Sequence, residues 1–219
     1  MNMRRLRKLV ATLLLSVMSF NIFADGTVVS PGQQATVTIA PNGVPIVNIN
    51  APNAGISVTT FQEFNVGANG EVINDADNTG RSFVAGLIPG NPNYGPNQAA
   101  QLIILQVNGS NRSTIEGYLE VLSRSKPNVI LSNENGITVN GGGTIGIANF
   151  TATTGKVNLV DGQYVGINTT DGSLIIGPKG FDGLTADYVN FIAKNIQQSG
   201  KVVSGAGLTY IAGANNVSS

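Results

Sequence analysis

The sequence contains no cysteine, no histidine and no tryptophan, and only 11% of its residues are charged. Without cysteine there are no disulfides, no thiolate nucleophile and no cysteine metal ligand. Without histidine, the usual general base and the commonest metal ligand are both missing. Most enzyme mechanisms lose their principal residue here. What the chain does have is 28 glycines in 219 residues and 42% hydrophobic content. Disorder needs less hydrophobicity and more charge, so the composition describes one folded domain with many turns.

The formal net charge of zero hides an asymmetry, because Arg4, Arg5, Arg7 and Lys8 all lie at the extreme N-terminus. The apolar run Leu9 to Phe20 follows, and Ile22-Phe23-Ala24 offers a small residue at a cleavage point. Residues 1–24 read as a Sec-type signal peptide. The run falls short of the roughly 20 apolar residues that a membrane anchor needs. Residues 25–219 keep eight of the twelve basic residues and all twelve acidic ones, a net charge of −4. A weakly acidic domain is a poor nucleic-acid binder.

Beyond Ala24, apolar and polar residues alternate over short runs punctuated by Gly, Asn or Asp, which predicts strands and turns. Ile137 and Val139 recur as Val157 and Leu159, and Ile145 and Ile147 recur as Val165 and Ile167, both at an offset of 20. Val189 and Phe191 recur as Leu208 and Tyr210 at 19. A fixed offset suggests a coiling chain whose circuits stack like on like, a parallel β-helix with those eight residues, Ile137 to Ile167, pointing inward. The stretches Gly177-Pro178-Lys179-Gly180 and Asp182-Gly183 then read as a loop bulging from one circuit. An antiparallel sandwich competes, since Asp161-Gly162 and Asp171-Gly172 are also hairpin signals. The rhythm breaks between Phe61 and Tyr118, where a solenoid needs caps and side hairpins to protect its open end.

Few residues invite a chemical reading. Asp75-Ala76-Asp77 is how a calcium loop begins, but the further oxygen ligands and closing Glu do not follow, so Asn74 to Asn78 reads as a solvated loop. Glu116 and Glu120 would share one face of a strand, most simply a polar outer face. Arg112 reads equally as a carboxylate anchor or a loop arginine. Gly205-Ala206-Gly207 and Gly177-Pro178-Lys179 each lack part of a nucleotide-binding fingerprint and are turns. No catalytic residue, metal site or cofactor is predicted.

Several stretches, in order, resemble the secretion domain of the two-partner-secretion exoproteins: filamentous haemagglutinins, haemolysins and contact-dependent growth inhibition proteins. They are Asn42 to Ser57, including Asn48, leading to Phe64-Asn65-Val66; then Gly90-Asn91-Pro92-Asn93-Tyr94; then Gln106 to Ser113, including Asn111 and Arg112, on to Val121. Asn133-Glu134-Asn135-Gly136-Ile137 and the closing Leu208 to Val217 complete the series. Tyr94 stands where the family usually has leucine, and Glu134 where it has proline. The resemblance implies an all-β, single-stranded right-handed parallel β-helix with an N-terminal antiparallel cap and extra-helical hairpins over residues 25–219. It also implies Sec export, recognition by the periplasmic modules of an outer-membrane transporter, nucleation of β-helix folding at the cell surface, and a secreted or surface-bound product. Asn91, Asn93, Asn133 and Asn135 would be turn residues first and transporter contacts second. Distal regions beyond this chain would reach a host or neighbouring cell. A free-standing carbohydrate-binding adhesin and a β-helix polysaccharide lyase or hydrolase are the alternatives.

Overall fold

The computed structural model describes residues 26–218; the signal peptide assigned to residues 1–24 lies outside the described residues. Strands build three faces of a coil. Face 1 runs through Ile56–Glu63, Leu102–Val107, Asn128–Asn133, Asn149–Thr153, Tyr188–Ala193 and Gly207–Ala212. Face 2 runs through Pro45–Asn48, Glu71–Asp75, Tyr118–Ser123, Gly143–Ile145, Phe181–Gly183 and Val202–Ser204. Face 3 holds Ser113–Ile115, Ile137–Val139, Ser173–Ile176 and Asn195–Gln198. Every pairing within these three series is parallel. Two antiparallel strands, Val28–Val29 on face 1 and Thr36–Ile39 on face 2, close the N-terminal end. The chain is a parallel β-helix with an antiparallel cap.

Period-two alternation sends one side of each strand into a continuous column. Ile103, Leu105 and Val107 point inward and meet Val129 and Leu131 of the next coil. Further along, Phe150 and Phe181 stack at 5.5 Å, and Phe191 packs edge-on to Phe181. Corners stack as closely as strands: a Cβ on Gly117 would lie 2.1 Å from the Gly67 carbonyl oxygen, and one on Gly142 would lie 2.0 Å from that of Gly117. Only glycine allows backbones to approach so closely.

The offset of 20 does not describe the coil. Ile137 pairs with Leu174, not Val157, and Val139 with Ile176, not Leu159. Val157 instead lies opposite Ile167 in an antiparallel hairpin of Lys156–Val160 and Gln163–Thr169, so Ile145 and Val165 are not on adjacent strands. Leu159 and Val165 are 38% and 40% exposed rather than internal. The turn decides the matter: Asp161 and Gly162 both have positive φ, 51° and 76°, the backbone that a two-residue hairpin requires. The antiparallel alternative was right locally. Counted along face 1 through Ile103, Val129, Phe150, Val189 and Leu208, the circuits span 26, 21, 39 and 19 residues, and the long one contains the hairpin. The spacing of 19 is a true stacking interval. Gly177 to Gly180 is a corner and Asp182-Gly183 a strand of face 2, so the bulge lies at the hairpin instead.

Asn215–Ser218 pairs with the hairpin, and this small sheet covers the outer side of face 1, where Val157 and Ile167 bury Ile104, Ile130 and Ile192. A second hairpin, Gly80–Ser82 with Gly86–Ile88, lies over face 2 and packs Ala85 and Ile88 against Ile46 and Val72.

Candidate functional site

Asn91 and Asn133 build the same device at two corners. Asn91 lies near the start of the connection from the second hairpin, Gly86–Ile88, to Leu102–Val107. Its Oδ1 accepts from the backbone N–H of Asn93 at 2.9 Å, closing an Asx turn, and its Nδ2 donates to the carbonyls of Ile49 (2.9 Å) and Asn74 (2.8 Å). Asn93 Nδ2 donates to the Ile49 carbonyl at 3.1 Å. Pro92, between them, is exposed and fixes φ where no backbone donor is needed.

Asn133, at the end of a face 1 strand, likewise accepts from the N–H of Asn135 at 3.0 Å and donates to the Asn111 carbonyl (2.9 Å) and to Ser113 Oγ (3.0 Å). Asn135 Nδ2 donates to the Gly109 carbonyl. Glu134 occupies the exposed position that Pro92 has in the first turn. Each leading asparagine is buried, and each ties its turn to the preceding coil through groups a neighbouring strand leaves open.

Arg112 lies beside the second turn. It donates to the carbonyls of Ile137 and Ser173, both at 3.0 Å, and to Ser173 Oγ at 2.9 Å. It therefore staples successive face 3 strands, and carbonyls and a hydroxyl, not a carboxylate, receive it. Gly136, φ +114°, makes room: a Cβ there would sit 2.1 Å from Arg112 Nη1. Ile137 itself is internal. Asn111 donates to Glu63 Oε1 at 2.7 Å. Asn48 accepts from Asn74 Nδ2 at 2.8 Å, and Asn65 Oδ1 accepts from the N–H of Thr114 at 2.9 Å. The structure brings Asn48, Asn91, Pro92, Asn93 and Tyr94 together over the first coil, and Asn111, Arg112, Asn133, Glu134, Asn135, Gly136 and Ile137 at the next corner. Asn65 adjoins the second group, holding Thr114, the residue after Ser113.

The solvated-loop reading of Asn74 to Asn78 fails at its first half, while Ala76 to Asn78 do form a loop in which Asn78 is exposed. Asn74 and Asp75 are fully buried strand residues, and the Asp77 side chain is 2% exposed. Asp75 has the inward parity of Ile73, opposite Ser123. Its carboxylate accepts from Tyr94 Oη (2.6 Å), the N–H of Ala100 (2.9 Å) and Ser123 Oγ. Burial pushes its pKa up, against the pull of these donors and of Arg124, and burial beside Asp75 likewise pushes up that of Tyr94. Alternation counted on from Ile73 would have found Asp75; the Asn and Asp content concealed it. Glu116 and Glu120 do not share a strand. Glu120 is covered by the second hairpin and accepts from Ser82 Oγ and from the N–H groups of Phe83 and Val84. Its carboxylate pins a turn instead of forming a polar outer face. Among the described residues no group of three His, Cys, Asp or Glu could hold a metal ion.

The TPS secretion domain family model matches residues 21–219. The chain is 40% identical over 199 residues, 89% of its length, to the tRNA nuclease CdiA of Escherichia coli O6:K15:H31 (strain 536 / UPEC). It is 33% identical over 215 residues, 97% of its length, to tRNA nuclease CdiA-2 of Burkholderia pseudomallei strain 1026b. It spans only 6% and 7% of the length of those relatives. The crystal structure of a filamentous hemagglutinin secretion domain superposes with a TM-score of 0.81 at 33% identity, covering 88% of this chain and 65% of that one. None of these matches favours a free-standing adhesin or a lyase. With this coil, cap and order of turns, the chain belongs to the TPS secretion domain family, the targeting domains of two-partner-secretion exoproteins.

Proposed function

We propose that this domain is the export address of a long exoprotein of the contact-dependent-inhibition type, directed to the periplasm by residues 1–24 and recognised there by the periplasmic modules of a dedicated outer-membrane transporter. The recognition surface comprises the Asn91-Pro92-Asn93 and Asn133-Glu134-Asn135 turns. One observation carries this reading: two corners far apart in sequence repeat the same amide geometry while displaying Pro92, Glu134 and Asn135 outward. A generic signal peptide gives a transporter no means of choosing its client, and discrimination needs extra contacts. The last face 1 strand, Gly207–Ala212, ends its sheet with Leu208 and Tyr210 partly exposed, which supports the stacking of further coils upon it. The nuclease activity named for the relatives belongs, on this reading, to regions outside the domain.

The test replaces Asn91 and Asn93 by alanine in a strain coexpressing the cognate transporter. Cleavage after Ala24 should proceed and the product should accumulate in the periplasm, with thermal melting of the purified variant recorded alongside. Wild-type release into the medium, or equal release without the transporter, would defeat the proposal.

A further inference from the structure

We propose that Asp75 is a positioning residue for transporter recognition: its buried carboxylate clamps the loop from Asn91 to Ala100 and thereby fixes the outward shape of Asn91-Pro92-Asn93. The inference rests on the recognition reading above and adds to it a residue that lies outside both turns.

The segment between Ile88 and Leu102 contains no strand, and a loop of that length has many accessible shapes unless it is tied down. Its start is held by backbone contact: the N–H of Asn91 donates to the Ala76 carbonyl at 2.7 Å, and a Cβ on Gly90 would lie 2.7 Å from the Asp77 oxygen. Asp75 holds the remainder. One oxygen accepts from Tyr94 at the middle of the loop and from Ala100 at its end, and the other from Ser123 on the next coil. A single carboxylate thus joins the loop to two coils. Arg124 and Asp77 tether Asn97 from the solvent side. An apolar residue would fill the inward position of Asp75 at lower cost in desolvation; it would leave Tyr94 and Ala100 without an acceptor.

Three variants of the chain test the clamp against the periplasmic modules of the cognate transporter, by direct binding and by amide hydrogen exchange. In Asp75→Ala and Tyr94→Phe, exchange should rise at least tenfold across residues 91–100 while Leu102–Val107 and Tyr118–Ser123 stay protected, and binding should weaken at least fivefold. Asp75→Asn should bind within threefold of wild type, because an amide can accept from Tyr94 and Ala100 and donate to Ser123. If Asp75→Ala does not fold, Tyr94→Phe carries the test alone. Uniformly raised exchange in all coils, or wild-type binding by Tyr94→Phe, overturns the clamp. Asn91→Ala separates the two ideas: if it abolishes binding while the clamp variants bind normally, the recognition surface stands and Asp75 does not position it. If Asn91→Ala also binds normally, the recognition reading itself fails.

Discussion

Asn91→Ala is the most direct probe of how the first coils are held together. Asn91 is 2% exposed, and its amide makes three hydrogen bonds of 2.8 to 2.9 Å, two as donor to the carbonyls of Ile49 and Asn74 and one as acceptor from the N–H of Asn93. Each buried bond contributes about 0.5–1.5 kcal/mol net, so the loss should total about 3 kcal/mol. That is a large part of the roughly 5–15 kcal/mol typical of a domain. Asn91→Asp sharpens the argument. It keeps the acceptor for Asn93 but turns a carboxylate oxygen toward the Ile49 and Asn74 carbonyls, so at pH 7 it should be no more stable than Asn91→Ala, recovering as acid protonates the new side chain and restores a donor. Urea denaturation followed by far-UV circular dichroism measures both, and an unchanged slope would show that the unfolded state is the same. A loss below 1 kcal/mol for Asn91→Ala, or an Asn91→Asp variant clearly more stable than Asn91→Ala at pH 7, would refute the reasoning.

Two other outcomes follow from the geometry. Gly136→Ala must place a methyl group 2.1 Å from Arg112 Nη1 and 2.9 Å from the Ser173 carbonyl oxygen at a φ of +114°, so it should lower stability by more than about 2 kcal/mol. Adding Arg112→Ala should return part of that loss, and strictly additive effects in a double-mutant cycle would show that the two residues do not share the space. Asp75 predicts a pH dependence of definite sign. Its folded pKa lies above the ordinary 3.8, so the native state holds that proton more tightly than the unfolded state does. Its contribution is complete below about 3.8 and is lost as pH rises through the raised native value. The stability of wild type relative to Asp75→Asn should therefore fall as pH increases above about 4 and level off once pH has passed the raised native value; a difference that grows in favour of wild type with rising pH contradicts the assignment.

The strand-and-turn character, the capped coil and the two asparagine turns were all legible in the sequence; the register of the coils was not. Ile137 and Val157 are both apolar, both lie within two residues of a preceding glycine and both sit in alternating runs, and the difference between a coil strand and a hairpin strand lies in the partner each meets. Val157 and Ile167 are buried like core residues because they cover a second apolar surface, the outward isoleucines of face 1. Alternation reports that one side is covered and is silent on which layer covers it. The outward Ile104 and Ile130, lying beside inward residues in Ile103-Ile104-Leu105 and Val129-Ile130-Leu131, were the available sign that face 1 is covered on both sides. The Asp75 cluster escaped for the opposite reason. Composition marked Asn74 to Asn78 as solvent-loving, whereas the strand parity set by Ile73 carried Asp75 into the interior, where Tyr94, Ala100 and Ser123 supply the donors that water would have given.

The asparagine turns also tie local shape to the state of the whole coil. Asn91 can complete its turn only when Pro45–Asn48 and Glu71–Asp75 are already paired, because one carbonyl that receives its amide belongs to Ile49, directly after the first of these strands, and the other to Asn74 within the second. Asn133 depends in the same way on Asn111 and Ser113 of the preceding coil. An isolated peptide carrying Asn91-Pro92-Asn93 still has an Asx turn available to it but has nothing to receive the Nδ2 donors and nothing to orient Tyr94. Each turn is therefore a report on stacked coils, and a partner that reads both turns together reads a folded cap and its first circuits instead of a linear motif. It follows that synthetic peptides spanning either turn should compete poorly for that partner even where the sequence is intact. Substitutions far from the turns that unstack the first coils should mimic their loss.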